Sequence, residues 1–117
     1  MFTILSVEKF NTYEDRRNAE ADADIMRESL STLGMEEFDC EMGKKRTIGH
    51  EKAHSHIKKF AAKLRTVTCD LAIVVISSHG TYKDNLQWVV FSDEQLVSRV
   101  FMCTYKLTFV FLYQVTE

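Results

Sequence analysis

A histidine and a glycine follow a run of apolar residues in the segment CDLAIVVISSHGTY, from Cys69 to Tyr82. Leu71 to Ile76 has the composition of a strand buried on both faces, and Ser77 to Gly80 comes where such a strand leaves its sheet. In α/β proteins, this end of a parallel strand carries the chemistry. A histidine side chain can accept and release a proton, and Gly80 leaves its backbone N–H unobstructed. The pair therefore predicts a general base beside an anion-binding amide.

A second motif, HEKAH, runs from His50 to His54 and matches the H-E-x-x-H pattern of zinc hydrolases. Two histidines four residues apart share one face of a helix, and Glu51 between them would activate a zinc-bound water. No suitable third ligand follows, since His56 would point from a poorly placed face. We therefore expect the polar start of a helix here, with no metal and no cofactor, and keep a zinc hydrolase as a remote alternative.

Two carboxylates, Asp22 and Asp24, lie two residues apart. On a helix their directions diverge by about 200°, so they cannot act together on one substrate atom. We expect them instead to interact with the helix N-terminus and with nearby arginines.

The composition places these residues in one small domain. A chain of 117 residues that is 45% hydrophobic can build a single core but not two. The net charge of −2 removes the electrostatic argument for nucleic-acid binding. Three cysteines without a C-x-x-C pair favour free thiols in a reducing compartment, so we expect a cytoplasmic protein.

Neither end of the sequence predicts export or membrane insertion. The start, MFTILSVEKF, lacks the basic segment and long apolar core of a targeting signal. The apolar stretch from Leu107 to Val115 is about half of the roughly 20 residues that a membrane-spanning helix needs.

Strand and helix patterns alternate along the chain, which predicts an α/β domain with a parallel sheet flanked by helices. Asn18 and Gly34 mark the two ends of the first helix, in which Ile25, Met26, Leu30 and Leu33 form the apolar stripe. We expect about four core strands plus a hairpin, in this order: Phe2 to Val7, Phe38 to Met42, Leu71 to Ile76, the hairpin around Trp88, and Thr108 to Tyr113. The second helix carries an apolar stripe from Ala53 to Leu64.

The order of these motifs resembles the large-subunit region of the caspases, and especially of nematode caspases. FTILSVEKF is similar to the family's first strand, RRNAEADADIMRESLSTLGM to its arginine and first-helix segment, and VVISSHG to the strand that carries the catalytic histidine. The resemblance implies a caspase-like, mostly parallel α/β fold that is incomplete. It implies a large-subunit-like domain over residues 1–97 and a divergent tail over residues 98–117, in which the fourth core strand would lie.

The resemblance also implies site residues. His79 matches the general base, and Gly80 matches the glycine whose N–H helps to bind the oxyanion. Arg16 matches the arginine that grips the aspartate side chain of the substrate, with Arg17 as its rival. A planar guanidinium can hold a carboxylate by two parallel hydrogen bonds, which a lysine cannot copy.

The sequence departs from the family at the nucleophile. Caspases attack with a cysteine in a Gln-Ala-Cys-X-Gly segment, and no such segment occurs here. Cys103 lacks the flanking residues, so we interpret it as a structural or incidental thiol. Laid without gaps on the family, the tail puts Gln114 at the substrate-pocket glutamine and Thr116 at the cysteine, whereas the competing interpretation is that the tail after about Val97 is unrelated sequence. A threonine hydroxyl is much harder to ionise than a thiol.

The sequence also stops where the family's small subunit would follow. The resemblance therefore implies a caspase homologue that is inactive as a protease alone and regulates a caspase in programmed cell death. Its partner would be a caspase subunit or a caspase activator, in a homodimer or a heterodimer, and not nucleic acid or a membrane. The alternative is a truncated isoform or gene model of an active aspartate-specific cysteine endopeptidase.

Overall fold

The computed structural model describes the backbone of residues 1–98 and 108–115 and the side chains of residues 1–98. The elements follow one another along the chain as β1 (Phe2–Ser6), α1 (Ala19–Thr32), α2 (Cys40–Gly43), α3 (His50–Leu64), β2 (Ile73–Lys83), β3 (Leu86–Val90), β4 (Leu96–Ser98) and β5 (Thr108–Val115). None of the helices in these ranges is long and apolar enough to cross a membrane.

The strand β2 organises the sheet, because three other strands pair with it. Its residues from Ile73 to Ser77 pair in parallel with β1 on one edge, and those from Ile73 to Gly80 pair in parallel with β5 on the other edge. From His79 onward, the edge that β1 leaves is taken by the antiparallel strand β3, to which β4 is paired in turn. This confirms the predicted mostly parallel sheet with an added hairpin.

Helices cover both faces of this sheet. On one face, Phe2, Ile4 and Val75 pack with Ala23 and Leu30 of α1. The residues that alternate with them point to the other face, as the pleat of a strand requires. That second core contains, among others, Leu5, Val7, Ile57, Phe60, Val74 and Ile76.

The prediction of a strand from Phe38 to Met42 is wrong. Only an isolated bridge between Phe2 and Glu37 forms there, and the chain then turns into the short helix α2. The side chain of Asp39 accepts a hydrogen bond from the Met42 backbone N–H at 3.2 Å and so caps this helix. An aspartate that satisfies an otherwise unpaired helical N–H outweighs the weak strand preference of a five-residue segment.

The buried face of α1 differs from the predicted stripe. Ala19, Ala23 and Leu30 are buried, whereas Ile25 is 62% exposed and Leu33 is 76% exposed. Small alanine side chains allow the helix axis to approach the sheet closely, and this sets the face that points inward. Gly34 has a φ of +85°, so the predicted left-handed turn at the end of the helix is confirmed. Asn18 occupies the N-cap position but makes no capping hydrogen bond with its side chain.

His56 is a buried polar group beside the second core. Its Nε2 lies 2.6 Å from Oγ1 of Thr3, and that hydroxyl donates its own proton to the carbonyl of Phe38 at 3.0 Å. Nε2 therefore donates to the hydroxyl oxygen, and the neutral ring carries its proton there. Burial lowers the pKa of His56, and the nearby Asp39 carboxylate opposes this only in part.

We predict that acidification weakens the fold through His56. A folded-state pKa below the unfolded value of about 6.5 means that the folded protein binds fewer protons, so stability is lost as the pH falls through that value. The expected loss is up to about 1 kcal/mol per pH unit below it. Urea unfolding of the wild type and of His56→Gln, between about pH 7.5 and about pH 5.5, measures this.

The glutamine variant keeps an amide donor for Thr3 but does not titrate, so its stability is expected to change less with pH. Burial also lowers the pKa of His54, which contributes to the slope that remains. Equal slopes for wild type and variant would contradict the assignment to His56.

Candidate active site

His79 lies inside a strand and not at its end. The sequence predicts that the strand leaves the sheet after Ile76, but β2 continues to Lys83, so this prediction is wrong. The polar residues stay paired because β3 replaces β1 along the same edge, and His79 has Val90 as its register partner there. His79 therefore lies just beyond the carboxyl end of β1, where the chain of β1 turns out of the sheet.

A loop that follows β1 covers His79, and we call residues Lys9–Asp15 the cover loop. The rings of Phe10 and Tyr13 lie 4.6 Å and 5.5 Å from the His79 ring, measured between centroids. The backbone carbonyl of Glu14 lies 2.7 Å from Nε2 of His79. With these contacts, His79 is only 3% exposed.

The contact with Glu14 fixes the tautomer of His79. A carbonyl oxygen can only accept a hydrogen bond, so Nε2 must carry the proton and donate it. In the neutral ring, Nδ1 is then the basic nitrogen. This is the arrangement in which a histidine oriented by a second group accepts a proton from a nucleophile.

The other residues predicted for the reaction lie on β2 itself, on the neighbouring strand β5 or outside the described residues. Gly80 has Val89 and Val115 as register partners, and Gln114 of β5 is the register partner of His79. Thr116 and Cys103 lie outside the described residues. The oxyanion role of Gly80, the substrate-pocket role of Gln114 and the correspondence of Thr116 with the cysteine stay predictions.

Arg16 is buried at the same end of the sheet. It is 3% exposed, and Nη1 donates to the carbonyl of Val7 at 2.7 Å. Nη2 donates to Asp22 at 2.9 Å and to Oγ of Ser77 at 2.6 Å, and Ser77 in turn donates to Asp22 at 3.0 Å. Ser77 and His79 are two residues apart on β2, so both side chains point to one face of the sheet. The two predicted site residues are therefore brought to the same face.

The electrostatics of Arg16 combine burial with one charge partner. Burial lowers the pKa of Arg16, whereas the Asp22 carboxylate raises it, and a guanidinium remains charged throughout. Within residues 1–98 its Nε has no hydrogen-bond partner. Arg17, the rival in the sequence, is exposed. Of the two arginines, only Arg16 has a guanidinium held in place by the core, and its substrate role stays a prediction.

The HEKAH segment forms the start of a helix. His50 is the first residue of α3, and its Nδ1 lies 2.5 Å from the Asp93 carboxylate, which also accepts the His50 backbone N–H at 3.1 Å. The His50 and His54 rings are 6.4 Å apart between centroids. In the part of the chain that the structure describes, no group of three or more His, Cys, Asp or Glu could hold a metal ion.

No thiol accompanies His79 among residues 1–98. Cys40 lies in α2, and Cys69 precedes the amino end of β2, whereas His79 lies towards its carboxyl end. Both of these cysteines are exposed and free. Within residues 1–98 the arrangement therefore brings together a histidine and a bound guanidinium without a thiol beside them.

Sequence reasoning missed the partners of the two site residues. Ser77 stands inside the SSHG motif, but only the pairing of β2 brings its hydroxyl to Arg16. In the sequence, Phe10 and Tyr13 are two aromatic residues of a loop, and no local pattern predicts their contact with His79. The signal that was available is their position directly after a buried strand, where loops of α/β proteins carry function.

Comparison with known proteins gives a family and a fold. Residues 2–109 match the family described as Caspase domain, Peptidase C14. No curated protein matches the sequence. Among solved structures, the chain is similar to the crystal structure of the Drosophila initiator caspase Dronc, with a TM-score of 0.76 and 13% sequence identity. The match covers 96% of this chain and 46% of that chain, so this chain spans about half the length of the caspase it resembles.

Proposed function

Because the chain belongs to the caspase domain family, we propose that it is a caspase homologue without protease activity of its own, which regulates a caspase in programmed cell death. It would act in the cytoplasm by pairing with a caspase subunit. The observation that carries this proposal is the outer edge of β5.

The strand β5 has one paired edge and one edge that points away from β2. Its residues from Thr108 to Val115 pair with β2, and no other described strand pairs with β5. An open strand edge presents a row of N–H and C=O groups that can pair with a strand of another chain. The chain covers 46% of the matched caspase, so a caspase contains further sequence from which a pairing strand could come. We therefore take the occupant of this edge to be a strand from the other half of a caspase.

The absence of a caspase-type cysteine segment supports the proposed lack of activity in the isolated chain. His79 and Arg16 are both buried at the same end of the sheet, but the 117 residues contain no Gln-Ala-Cys-X-Gly segment. A histidine without an ionisable thiol beside it cannot form the covalent intermediate of a cysteine protease.

Two observations favour the second candidate, which is a portion of an active aspartate-specific cysteine endopeptidase. Arg16 keeps its charge in a buried position, and His79 keeps the tautomer of a general base. In such an enzyme Gly80 would bind the oxyanion, Arg16 and Gln114 would line the substrate pocket, and the cysteine would come from another segment.

A titration into an active caspase distinguishes the two. The purified chain is added in increasing amounts to a caspase from the same organism, and cleavage of an Asp-terminated fluorogenic peptide is followed, with the chain alone as the control. We expect a saturable change in rate and no cleavage by the chain alone. An unchanged rate would contradict regulation, and cleavage by the chain alone would favour the enzyme.

The His79→Gln variant sharpens this result. Its side-chain amide can donate to the Glu14 carbonyl as Nε2 does, but it has no basic nitrogen. A regulator that works through β5 is expected to keep its full effect with this substitution, whereas an enzyme that uses His79 is expected to lose its activity.

A further inference from the structure

Glu94, in the turn between β3 and β4, accepts three hydrogen bonds from the cover loop. The hydroxyl of Thr12 donates to Oε1 at 2.6 Å, and the backbone N–H of Tyr13 donates to Oε2 at 2.9 Å. The backbone N–H of Thr12 also donates to Oε2. More than 80 residues of sequence separate the two sides of this contact, which we call the Glu94 clasp.

The clasp is adjacent to the groups that touch His79. Tyr13, whose N–H is held by Glu94, places its ring against His79, and the next residue, Glu14, provides the carbonyl that receives the Nε2 proton. The loop has no helix or strand of its own. Its internal ion pair, between Lys9 and Asp15 at 2.8 Å, is exposed, and exposed pairs contribute little.

The backbone at Glu94 indicates that its side chain is used. Its φ is +60°, a conformation that glycine adopts freely and other residues adopt at some cost. A carboxylate has two acceptor oxygens and no donor, which suits three converging donors. The hydrogen bonds from Thr12 and Tyr13 lower the pKa of Glu94, so the clasp is charged at neutral pH.

We propose that Glu94 is a positioning residue for His79: by clasping the cover loop, it holds the Glu14 carbonyl against Nε2 and so keeps Nδ1 as the basic nitrogen. The inference rests on the proposed role of His79 as the base position. Without the clasp, the loop keeps the backbone contact of Lys9 with Arg46 and the packing of Phe10, but Thr12 and Tyr13 lose the hydrogen bonds that fix their backbone. The Glu14 carbonyl is then held less firmly, and the His79 ring is expected to exchange between its two neutral tautomers.

Nuclear magnetic resonance of the isolated chain tests this inference. Ring nitrogen shifts of His79 report the tautomer, and hydrogen exchange at the amides of Thr12 and Tyr13 reports the clasp. In Glu94→Gln we expect these amides to exchange at least about tenfold faster, since charge-assisted hydrogen bonds are lost. The His79 shifts are expected to move from a single Nε2–H tautomer towards an average of the two.

Two further variants make the result decisive. Glu94→Gly removes the clasp while it suits the positive φ, so it separates loss of the clasp from loss of the fold. Glu28→Gln removes one carboxylate from the exposed side of α1 and is expected to change neither signal. Wild-type His79 shifts in both Glu94 variants, or an equal change in Glu28→Gln, would overturn the inference. The resonance experiment contains no caspase, so a negative result there would contradict only the role of Glu94. The proposed regulation is tested separately, by the titration into an active caspase.

Discussion

Replacing Asp22 with alanine is expected to lower the free energy of unfolding by about 3 kcal/mol or more. Asp22 is the carboxylate that the buried guanidinium of Arg16 contacts, at 2.9 Å, and it also accepts the hydroxyl of Ser77. The Arg16 side chain is 2% exposed and that of Asp22 is 25% exposed, so water reaches the guanidinium only in part after the carboxylate is removed. Removing one member of a buried pair leaves an uncompensated charge in the core, which costs far more than the pair contributes.

Asp24, two residues further along α1, provides the matched control. Its side chain is 64% exposed, and it pairs with Arg27 at 3.2 Å one turn away. An exposed pair of this kind contributes about 0.5 kcal/mol or less. Urea unfolding of Asp22→Ala and Asp24→Ala therefore compares the same substitution on one helix, and equal losses would contradict the buried role of Arg16.

A double variant separates the charge from the packing. If the cost in Asp22→Ala comes from the stranded guanidinium, then adding Arg16→Met removes that charge while it keeps most of the buried volume. The double variant is expected to be more stable than Asp22→Ala alone. A double variant that is less stable by the full sum of both losses would assign the effect to packing.

The second large effect is expected from proline in β5, which tests the proposed pairing edge. Neighbouring residues of a parallel strand direct their N–H groups to opposite edges, so proline at Val110 and proline at Phe111 remove donors from different edges. One of these variants loses a hydrogen bond to β2, and the other loses a donor on the outer edge. The outer-edge variant is expected to keep the wild-type melting temperature but to need at least about tenfold more protein for the same effect on a caspase.

Each of the two prolines serves as the control of the other. Thermal unfolding identifies the variant that has lost its bond to β2, because only that variant is expected to be destabilised. Two variants that both melt like the wild type and both change caspase activity like the wild type would exclude β5 as the contact surface.

Apolar patterns in the sequence located the centre of β2 but not its end. The alternation of apolar and polar residues reports burial, and it carries no information on which strand pairs with which. At Ser77 the parallel neighbour β1 ends, and at His79 the antiparallel neighbour β3 begins, so polar residues continue in a paired strand. The exchange of neighbours is decided by residues far apart in sequence.

Contacts near in sequence were more predictable than distant ones. Asp22 and Asp24 were expected to meet nearby arginines, and their ion pairs with Arg16 and Arg27 confirm this. The capping contact of α2 is also local, because Asp39 accepts the N–H of Met42, three residues further along. The sequence nevertheless predicts a strand for this segment. The contact between Glu94 and the cover loop spans more than 80 residues, so no local pattern could predict it.

The central place of β2 also affects how the chain is synthesised and folds. The apolar strand β1 is made before its partner strand β2, which begins at Ile73, about 70 residues later. At typical rates of translation this delay is on the order of several seconds, during which Phe2 and its apolar neighbours have no sheet to join. Loop closure over this separation also slows folding. The nascent chain therefore exposes an aggregation-prone strand until β2 emerges.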